Sequence, residues 1–201
     1  GLEELKIVIL TERSKVSSLD TLDATKINDI RTSFQIYDIN FWEKLSKSKR
    51  GKVDLILDFS NQEISGIRTN ETSEYHSFMC SINGITLAKL FDKYGSRLIE
   101  GNIRSFLQTR GKVNKGIRAT ILKEPDKFFA YNNGITATCT DIKISDGKVT
   151  QISNLQIVNG GQTTASLTNV LINDKAELQL TKVFVPMKLN LILKDEISDE
   201  L

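Results

Sequence analysis

Hydrophobic positions fall mainly into short runs of the kind that form strands. Apolar or alternating runs occur at residues 5–10, 34–39, 53–59, 75–82, 142–150, 155–158 and 183–193. A further strand is predicted to begin at Phe128. Helical spacing is found at residues 24–30, 41–45, 83–94 and 113–122. This mixture predicts an α+β (mixed α/β) protein.

The first 50 residues predict a small β-α-β-α segment whose two strands pair in parallel. Asn40 precedes the second helix and is expected to cap it, with Trp42 and Leu45 facing inward. A basic, small-residue run at 46–52 is typical of a linker. We therefore expect a partial segment at residues 1–50 and a core domain at residues 51–201.

Polar and turn-forming positions predict where the other elements stop. The polar stretch 61–74 is expected to be a loop. Asn83 should cap a helix that Gly95 ends. Asp146 and the glycine after it predict a hairpin, and Pro186 predicts an edge or a bulge in the last strand.

Two turns rich in amides, glycines and hydroxyls are the most informative local pattern. The second follows an apolar strand and opens a helix, whose free N–H groups favour an anion such as phosphate. The candidate ligand-binding residues of the two turns are Asn132, Asn133, Gly134, Asn159, Gly160, Gly161, Gln162, Thr163 and Thr164. The alternative is architectural: an asparagine-glycine turn closing a strand, and a tight turn capped by Asn159.

Positive charge is concentrated between Lys93 and Lys127. The whole chain carries +2, but this segment carries +6 and leaves −4 for the remainder. Such asymmetry is typical of a surface that contacts a polyanion, although solvated helices also show it. The candidate nucleic-acid contacts are Arg110, Lys112, Lys115 and Arg118.

A second basic element lies just before these residues. Asn102 and Arg104 are expected to brace a phosphate opposite the glycine turn, with Arg104 forming forked hydrogen bonds. The alternative is a surface salt bridge between Arg104 and Glu100.

The cysteines, the histidine and the two carboxylates near residue 40 are not expected to form a catalytic or metal site. Cys80 and Cys139 lie in apolar sequence and are expected to be buried, reduced thiols, with a disulfide as the alternative. The lone His76 is expected to be structural, and no metal site is predicted. Asp38 and Glu43 are expected to be solvated or capping carboxylates rather than a hydrolytic pair.

The termini and the hydropathy pattern predict a cellular location. No run is long enough to span a membrane and the start lacks a signal peptide, so a cytoplasmic address without a membrane partner is expected. The strand close to residue 5 and the acidic tail suggest a fragment of a longer protein.

Four ordered motifs closely resemble the AIPR family, which is named for abortive infection phage resistance in bacteria. They are Arg97–Leu107, Val113–Ile117, Phe128–Thr136 and Gln156–Thr163, and the match runs from about residue 50 to the end. The resemblance implies a bacterial antiphage defence protein.

Two weaker resemblances concern the fold. The glycine-containing turn between strand and helix is similar to that of ParB and DGQHR-type domains, which implies a ParB-like mixed-sheet core that binds nucleotide phosphates or DNA. Here the turn at Asn159–Thr163 lacks the paired arginines of the ParB turn. The first 45 residues faintly resemble the end of a restriction-endonuclease-like fold, whose metal-binding residues would lie upstream.

The expected function is phage defence through recognition of nucleic acid or a nucleotide in a polar cleft between the two turns. A bound nucleotide is the one cofactor considered. The main alternative is a metal-dependent nuclease whose catalytic residues lie outside this chain. A third interpretation is an interaction domain that senses a phage component.

Overall fold

The computed structural model describes residues 4–16, 19, 25–27, 30–47, 54–62, 64–99 and 112–193. Its contacts divide the chain into two compact units, Gly1–Asp54 and Leu55–Leu201. Both units mix strands and helices, which confirms the predicted α+β class. The predicted linker at 46–52 lies largely outside the described residues, and the predicted domain boundary stays a prediction.

The first unit is a three-stranded sheet followed by a helix. Its elements are β1 (Glu4–Leu10), β2 (Thr25–Ile27), β3 (Ile30–Tyr37) and α1 (Ile39–Lys47). The sheet order is β1-β3-β2, with β1 parallel to β3, as expected, and β2 antiparallel to it.

The helix predicted at residues 24–30 is wrong. Thr25–Ile27 is the strand β2, and β3 already begins at Ile30, so the described order of this unit is β-β-β-α. Threonine and isoleucine are branched at Cβ, and such residues favour extended backbone when a partner strand is available.

Asp38 is the residue that caps α1. Its Oδ1 accepts the N–H of Phe41 at 2.9 Å, and its Oδ2 accepts the N–H of Lys15 at 3.0 Å and the Nδ2 of Asn40 at 3.1 Å. These bonds favour the charged form, so the backbone N–H groups of Lys15 and then Phe41 lower the pKa of Asp38 below its ordinary value of 3.8. The prediction that Asn40 is the cap is therefore wrong, and Asp38 is a capping carboxylate.

Trp42 does not face inward as predicted. Its side chain is 39% exposed and meets Phe41 edge-on, with the ring centroids 5.3 Å apart. The ring centroid of Tyr37 lies 4.5 Å from that of Phe41 and 6.2 Å from that of Trp42. These rings form a small aromatic cluster at the surface of the first unit.

The second unit has two sheets and several helices. Its strands are β4 (Ile56–Asp58), β5 (Gly66–Glu71), β6 (Tyr75–Asn83), β7 (Ile135–Cys139), β8 (Asp141–Ser145), β9 (Lys148–Ser153), β10 (Gln156–Asn159) and β11 (Phe184–Ile192). Its helices are α2 (Gly84–Leu98), α3 (Lys112–Lys123), α4 (Phe128–Tyr131), α5 (Gly161–Asn169) and α6 (Glu177–Lys182). A 3₁₀ turn at Pro125–Lys127 precedes α4, and a π turn at Val170–Asp174 follows α5.

The larger sheet holds the core of the second unit. Its order is β10-β7-β11-β6-β5, and the smaller sheet has the order β4-β9-β8. Leu189 of β11 lies between Phe78 of β6 and Ala137 of β7. All three are buried in one apolar cluster with Leu87 of α2 and Leu167 of α5. This packing fixes α5 on the sheet that carries the candidate site.

Two predicted boundaries in the second unit are wrong. Residues 61–74 contain the strand β5, because a polar sequence pairs with β6. Asn83 caps α2 as predicted, accepting the N–H of Ile85 at 3.1 Å, but the helix continues past Gly95 to Leu98, whose side chain is fully buried.

Pro186 lies in a central strand with regular register, not at an edge or a bulge. It pairs with Ser81 of β6, but the ladder with β7 begins only at Met187. A proline is tolerated at this position because the strand has no β7 pairing there. The hairpin at Asp146 and Gly147 is confirmed, with both residues at positive φ.

The cap at Asp38 generates a pH-dependence prediction. The folded-state pKa of Asp38 is lowered, so its carboxylate stabilises the first unit above pH 3.8, and this contribution is lost as the pH falls through the folded pKa. We expect Asp38→Asn, which keeps an oxygen acceptor, to weaken the pH dependence of stability below 3.8. The fluorescence of the single tryptophan, Trp42, in an acid titration measures this.

The matched control is Glu43→Gln, which neutralises an exposed carboxylate in the same helix. It should retain the acid transition of the wild-type chain. Coincident titration curves for Asp38→Asn and the wild type would contradict the role given to the cap.

Candidate ligand-binding site

The asparagine turn follows a helical turn, not the strand predicted to begin at Phe128. Pro125 opens a 3₁₀ turn that leads into α4, and the N–H of Asn132 donates to the carbonyl of Phe128 at 3.0 Å. Proline suits the first position of a helical turn, which places the following apolar residues in helical phase. The strand β7 begins after the turn, at Ile135.

The glycine turn has the predicted order of strand, turn and helix. The strand β10 ends at Asn159, and α5 begins at Gly161. Gly160 precedes the helix with φ +90°. The Oδ1 of Asn159 accepts the N–H of Gly160 at 2.7 Å and no N–H of the helix, so the helix is not capped by Asn159 as the architectural alternative required.

The two turns meet through their glycines. A Cβ on Gly160 would lie 2.6 Å from the carbonyl oxygen of Gly134 and 2.7 Å from the Cγ2 of Ile135. A Cβ on Gly134, whose φ is +75°, would lie 2.0 Å from the carbonyl oxygen of Pro186. Both positions require glycine for two reasons, a left-handed backbone and a close approach to other backbone atoms.

Asn132 joins the asparagine turn to the start of α5. Its Oδ1 accepts the N–H of Gly134 at 2.8 Å and the hydroxyl of Thr163 at 3.1 Å. Thr163 is only 5% exposed, so this bond is largely shielded from water. Four of the predicted site residues, Asn132, Gly134, Gly160 and Thr163, thus lie together.

The first turn of α5 presents backbone donors. The first helical bond runs from the N–H of Thr164 to the carbonyl of Gly160 at 3.1 Å. Among the residues that the structure describes, the N–H groups of Gly161, Gln162 and Thr163 have no hydrogen-bond acceptor. The first turn also carries no acidic residue. Such a helix start attracts negative charge.

Ser166 is a polar residue of α5 that the sequence analysis missed. Its side chain is 6% exposed, and within the described part of the chain its buried Oγ has no hydrogen-bond partner. Ser166 follows Thr163 by three residues and Gln162 by four. It therefore lies on the same side of α5 as these two residues, one helical turn further along the chain. Buried hydroxyls are rarely left unpaired in native structures. Its spacing of four residues from Gln162 and three from Thr163 is the pattern in the sequence that could have placed Ser166 near the site.

The remaining residues of the two turns differ in exposure. Asn133 and Asn159 are exposed, and Gly161 and Gln162 are half-buried. Thr164 is fully buried, and its hydroxyl donates to the carbonyl of Gly160 at 3.2 Å. The Thr164 hydroxyl is therefore engaged within its own helix.

The structure describes only part of the basic segment. Asn102, Arg104 and Arg110 lie outside the described residues, as does the side chain of Lys112. Lys115 is exposed on α3. The proposed contacts of this segment with nucleic acid therefore stay predictions.

Arg118 forms a two-pronged ion pair with Asp174. Its Nε donates to the Oδ2 of Asp174 at 2.8 Å, and its Nη2 donates to Oδ1. The hydrogen bond and the charge of this guanidinium lower the pKa of the Asp174 carboxyl. Lys127 is paired with Glu124, which is already counted in the local +6. The pair of Arg118 with Asp174 therefore compensates one further positive charge of the segment within the fold.

Other titratable groups play structural roles. Cys80 and Cys139 are buried free thiols, as expected, and burial raises their pKa values to about 11 and about 12. His76 lies in β6, and its Nε2 lies 3.3 Å from the Oε1 of Glu71 in the neighbouring strand β5.

The described parts of the chain hold no group of three or more histidine, cysteine or acidic residues that could bind a metal ion. No helix in them is long and apolar enough to cross a membrane.

The comparison with known families identifies the class of protein. The model of the AIPR protein family matches residues 99–201, slightly more than half of the chain, and this range contains both turns. The chain belongs to the AIPR family, and the family name associates it with abortive infection and phage resistance. No curated protein and no solved structure matches the chain. The resemblance to ParB-like domains stays a prediction.

The contact between the two turns generates a stability prediction. Gly160→Ala should cost about 1–2 kcal/mol for the left-handed backbone and about 1–3 kcal/mol more for the clash with Gly134. Gly147→Ala is the matched control, because Gly147 has φ +72° but open space around its Cα. Gly147→Ala should therefore lose only the unfolding free energy that comes from the left-handed backbone.

Urea unfolding of the two variants measures the difference. We expect Gly160→Ala to be clearly less stable than Gly147→Ala. Equal losses of unfolding free energy would show that the glycine contact does not constrain the fold.

Proposed function

We propose that the chain acts in antiphage abortive infection by binding a phosphate group of nucleic acid or of a nucleotide at the start of α5. The carrying observation is the hydrogen bond from Thr163 to Asn132, which fixes an amide side chain beside the unpaired N–H groups of Gly161, Gln162 and Thr163. Backbone donors at the positive end of a helix are a common phosphate site.

Asn132 is held in one orientation by its own hydrogen bonds. Because its Oδ1 already accepts from Gly134 and Thr163, the planar carboxamide presents its Nδ2 away from both donors. The structure gives Nδ2 no acceptor in the described residues. A ligand oxygen is the partner that we propose for it.

Burial strengthens this donor set. Thr163 is almost fully buried, and the buried hydroxyl of Ser166 lies one turn deeper on the same side of α5 without a partner. Hydrogen bonds to a charged oxygen are stronger where water is partly excluded. Ser166 supports the proposal because a ligand or an ordered water at this place would satisfy its hydroxyl.

The charge distribution favours nucleic acid or a nucleotide over a neutral ligand. The first turn of α5 has no carboxylate, and the segment from Lys93 to Lys127 has an excess of positive charge. Exposed residues such as Lys115 would attract a polyanion from a distance, while neutral donors at α5 hold one phosphate. Binding by such a surface weakens as salt rises.

The test is Asn132→Asp. An aspartate keeps the oxygen that accepts from Gly134 and Thr163, but it loses the Nδ2 donor and adds a negative charge beside the site. We expect binding of AMP and of short single-stranded DNA or RNA to weaken by at least about tenfold, the loss of one hydrogen bond to a charged group. Isothermal titration at constant salt measures the affinities.

The control is Asn169→Asp, an exposed position at the far end of the same helix, about 12 Å along its axis. It makes the same charge change and should leave affinity almost unaltered. The proposal is contradicted if the wild-type chain binds none of these probes, or if the two variants bind equally well.

A further inference from the structure

Two exposed aromatic side chains lie directly before the asparagine turn. Phe128 is 1% exposed and belongs to the core, whereas Phe129 is 52% and Tyr131 is 64% exposed. All three belong to the short helix α4, so one ring anchors the turn in the core while the other two face solvent. The core packing around Phe128 does not require the two exposed rings.

The backbone at Tyr131 is held in place by the hydrogen bonds of the next residue. The next residue, Asn132, donates its N–H to Phe128 and accepts from Gly134 and Thr163 through its side chain. The backbone that carries Tyr131 is therefore fixed at a buried phenylalanine and at the start of α5. A ring held in this way loses little conformational freedom when it contacts a ligand.

A positive group lies beside the same ring. Lys127 ends the 3₁₀ turn four residues before Tyr131, and its pKa is raised by the carboxylate of Glu124 and, to a smaller extent, by the Tyr131 phenol. Lys127 also forms an ion pair with Glu124, so its positive charge is partly compensated. The surface next to the asparagine turn thus combines an exposed ring with a lysine, a pairing suited to nucleic acid.

We propose that Tyr131 stacks on an unpaired nucleobase whose phosphate is bound at the start of α5. This inference rests on the proposed function and narrows its ligand class to a free nucleotide or single-stranded nucleic acid. Every base has a flat π face, so one aromatic ring binds any of them, whereas the bases of a duplex are already stacked on each other. Asn133 is exposed and follows Tyr131 by two residues in the chain, and its amide suits the polar groups at the edge of a stacked base.

The experiment compares four probes on the wild-type chain. They are a short single-stranded oligo-deoxythymidine, the same sequence as a duplex with oligo-deoxyadenosine, AMP, and ribose 5-phosphate, which has no base. The inference requires the single strand to bind more tightly than the duplex, and AMP more tightly than ribose 5-phosphate. The single strand and AMP also distinguish a polymer from a free nucleotide as the preferred source of the base.

Substitutions of Tyr131 and Phe129 test which of the two exposed rings stacks on the base. Tyr131→Ala should weaken binding of the single strand and of AMP roughly 5- to 150-fold, the range for loss of one stacked base, and leave ribose 5-phosphate unchanged. Tyr131→Phe keeps the ring and should bind like the wild type. Phe129→Ala removes the other exposed ring of the same helical turn and should also bind like the wild type.

The possible failures are distinguishable. If ribose 5-phosphate and AMP bind equally and Tyr131→Ala changes neither, stacking is wrong while phosphate binding stands. If Phe129→Ala weakens binding as much as Tyr131→Ala, the assignment to Tyr131 is wrong. If no probe binds the wild-type chain, both proposals fail. A change of oligomeric state in Tyr131→Ala, without a change in ligand affinity, would assign the ring to contact between copies and overturn the inference.

Discussion

Backbone atoms of Gly134, Gly160 and Pro186 approach one another so closely that neither glycine has room for a side chain. This contact joins the start of β7, the start of α5 and the beginning of β11, which are far apart in sequence. Because the two glycines also have positive φ, the chain can make the contact only with these residues. The hydrogen bond between Asn132 and Thr163 joins the same two turns.

The same constraint explains why a polar site can lie on an apolar core. Phe128 of α4 and Leu167 of α5 are buried in the apolar core, and they hold both helices in place without using the polar groups of the turns. Thr163 is left to bond Asn132, while the first N–H groups of α5 remain available. An architectural role for the glycines and a binding role for the amides are therefore compatible, because different atoms carry them.

Local signals predicted some of these elements, and long-range contacts decided the others. The turn at Gly160 and the hairpin at Gly147 follow from neighbouring residues, so the sequence was sufficient for both. Residues 24–30 and the polar strand β5 were misread because pairing with another strand determines them. The strand predicted to begin at Phe128 is wrong, because Pro125 begins a helical turn that continues into α4. Contacts such as Asn132 with Thr163, 31 residues apart, have no local pattern at all.

The most direct test of the central claim follows the backbone amides at the start of α5. Two-dimensional ¹⁵N–¹H NMR of the labelled chain, titrated with AMP at constant pH and salt, reports each N–H separately. The account predicts that Gly161, Gln162 and Thr163 shift together and saturate with one affinity, while Gly147, in the exposed turn between β8 and β9, stays unchanged. Unchanged amides at α5, or shifts confined to another surface, would contradict it.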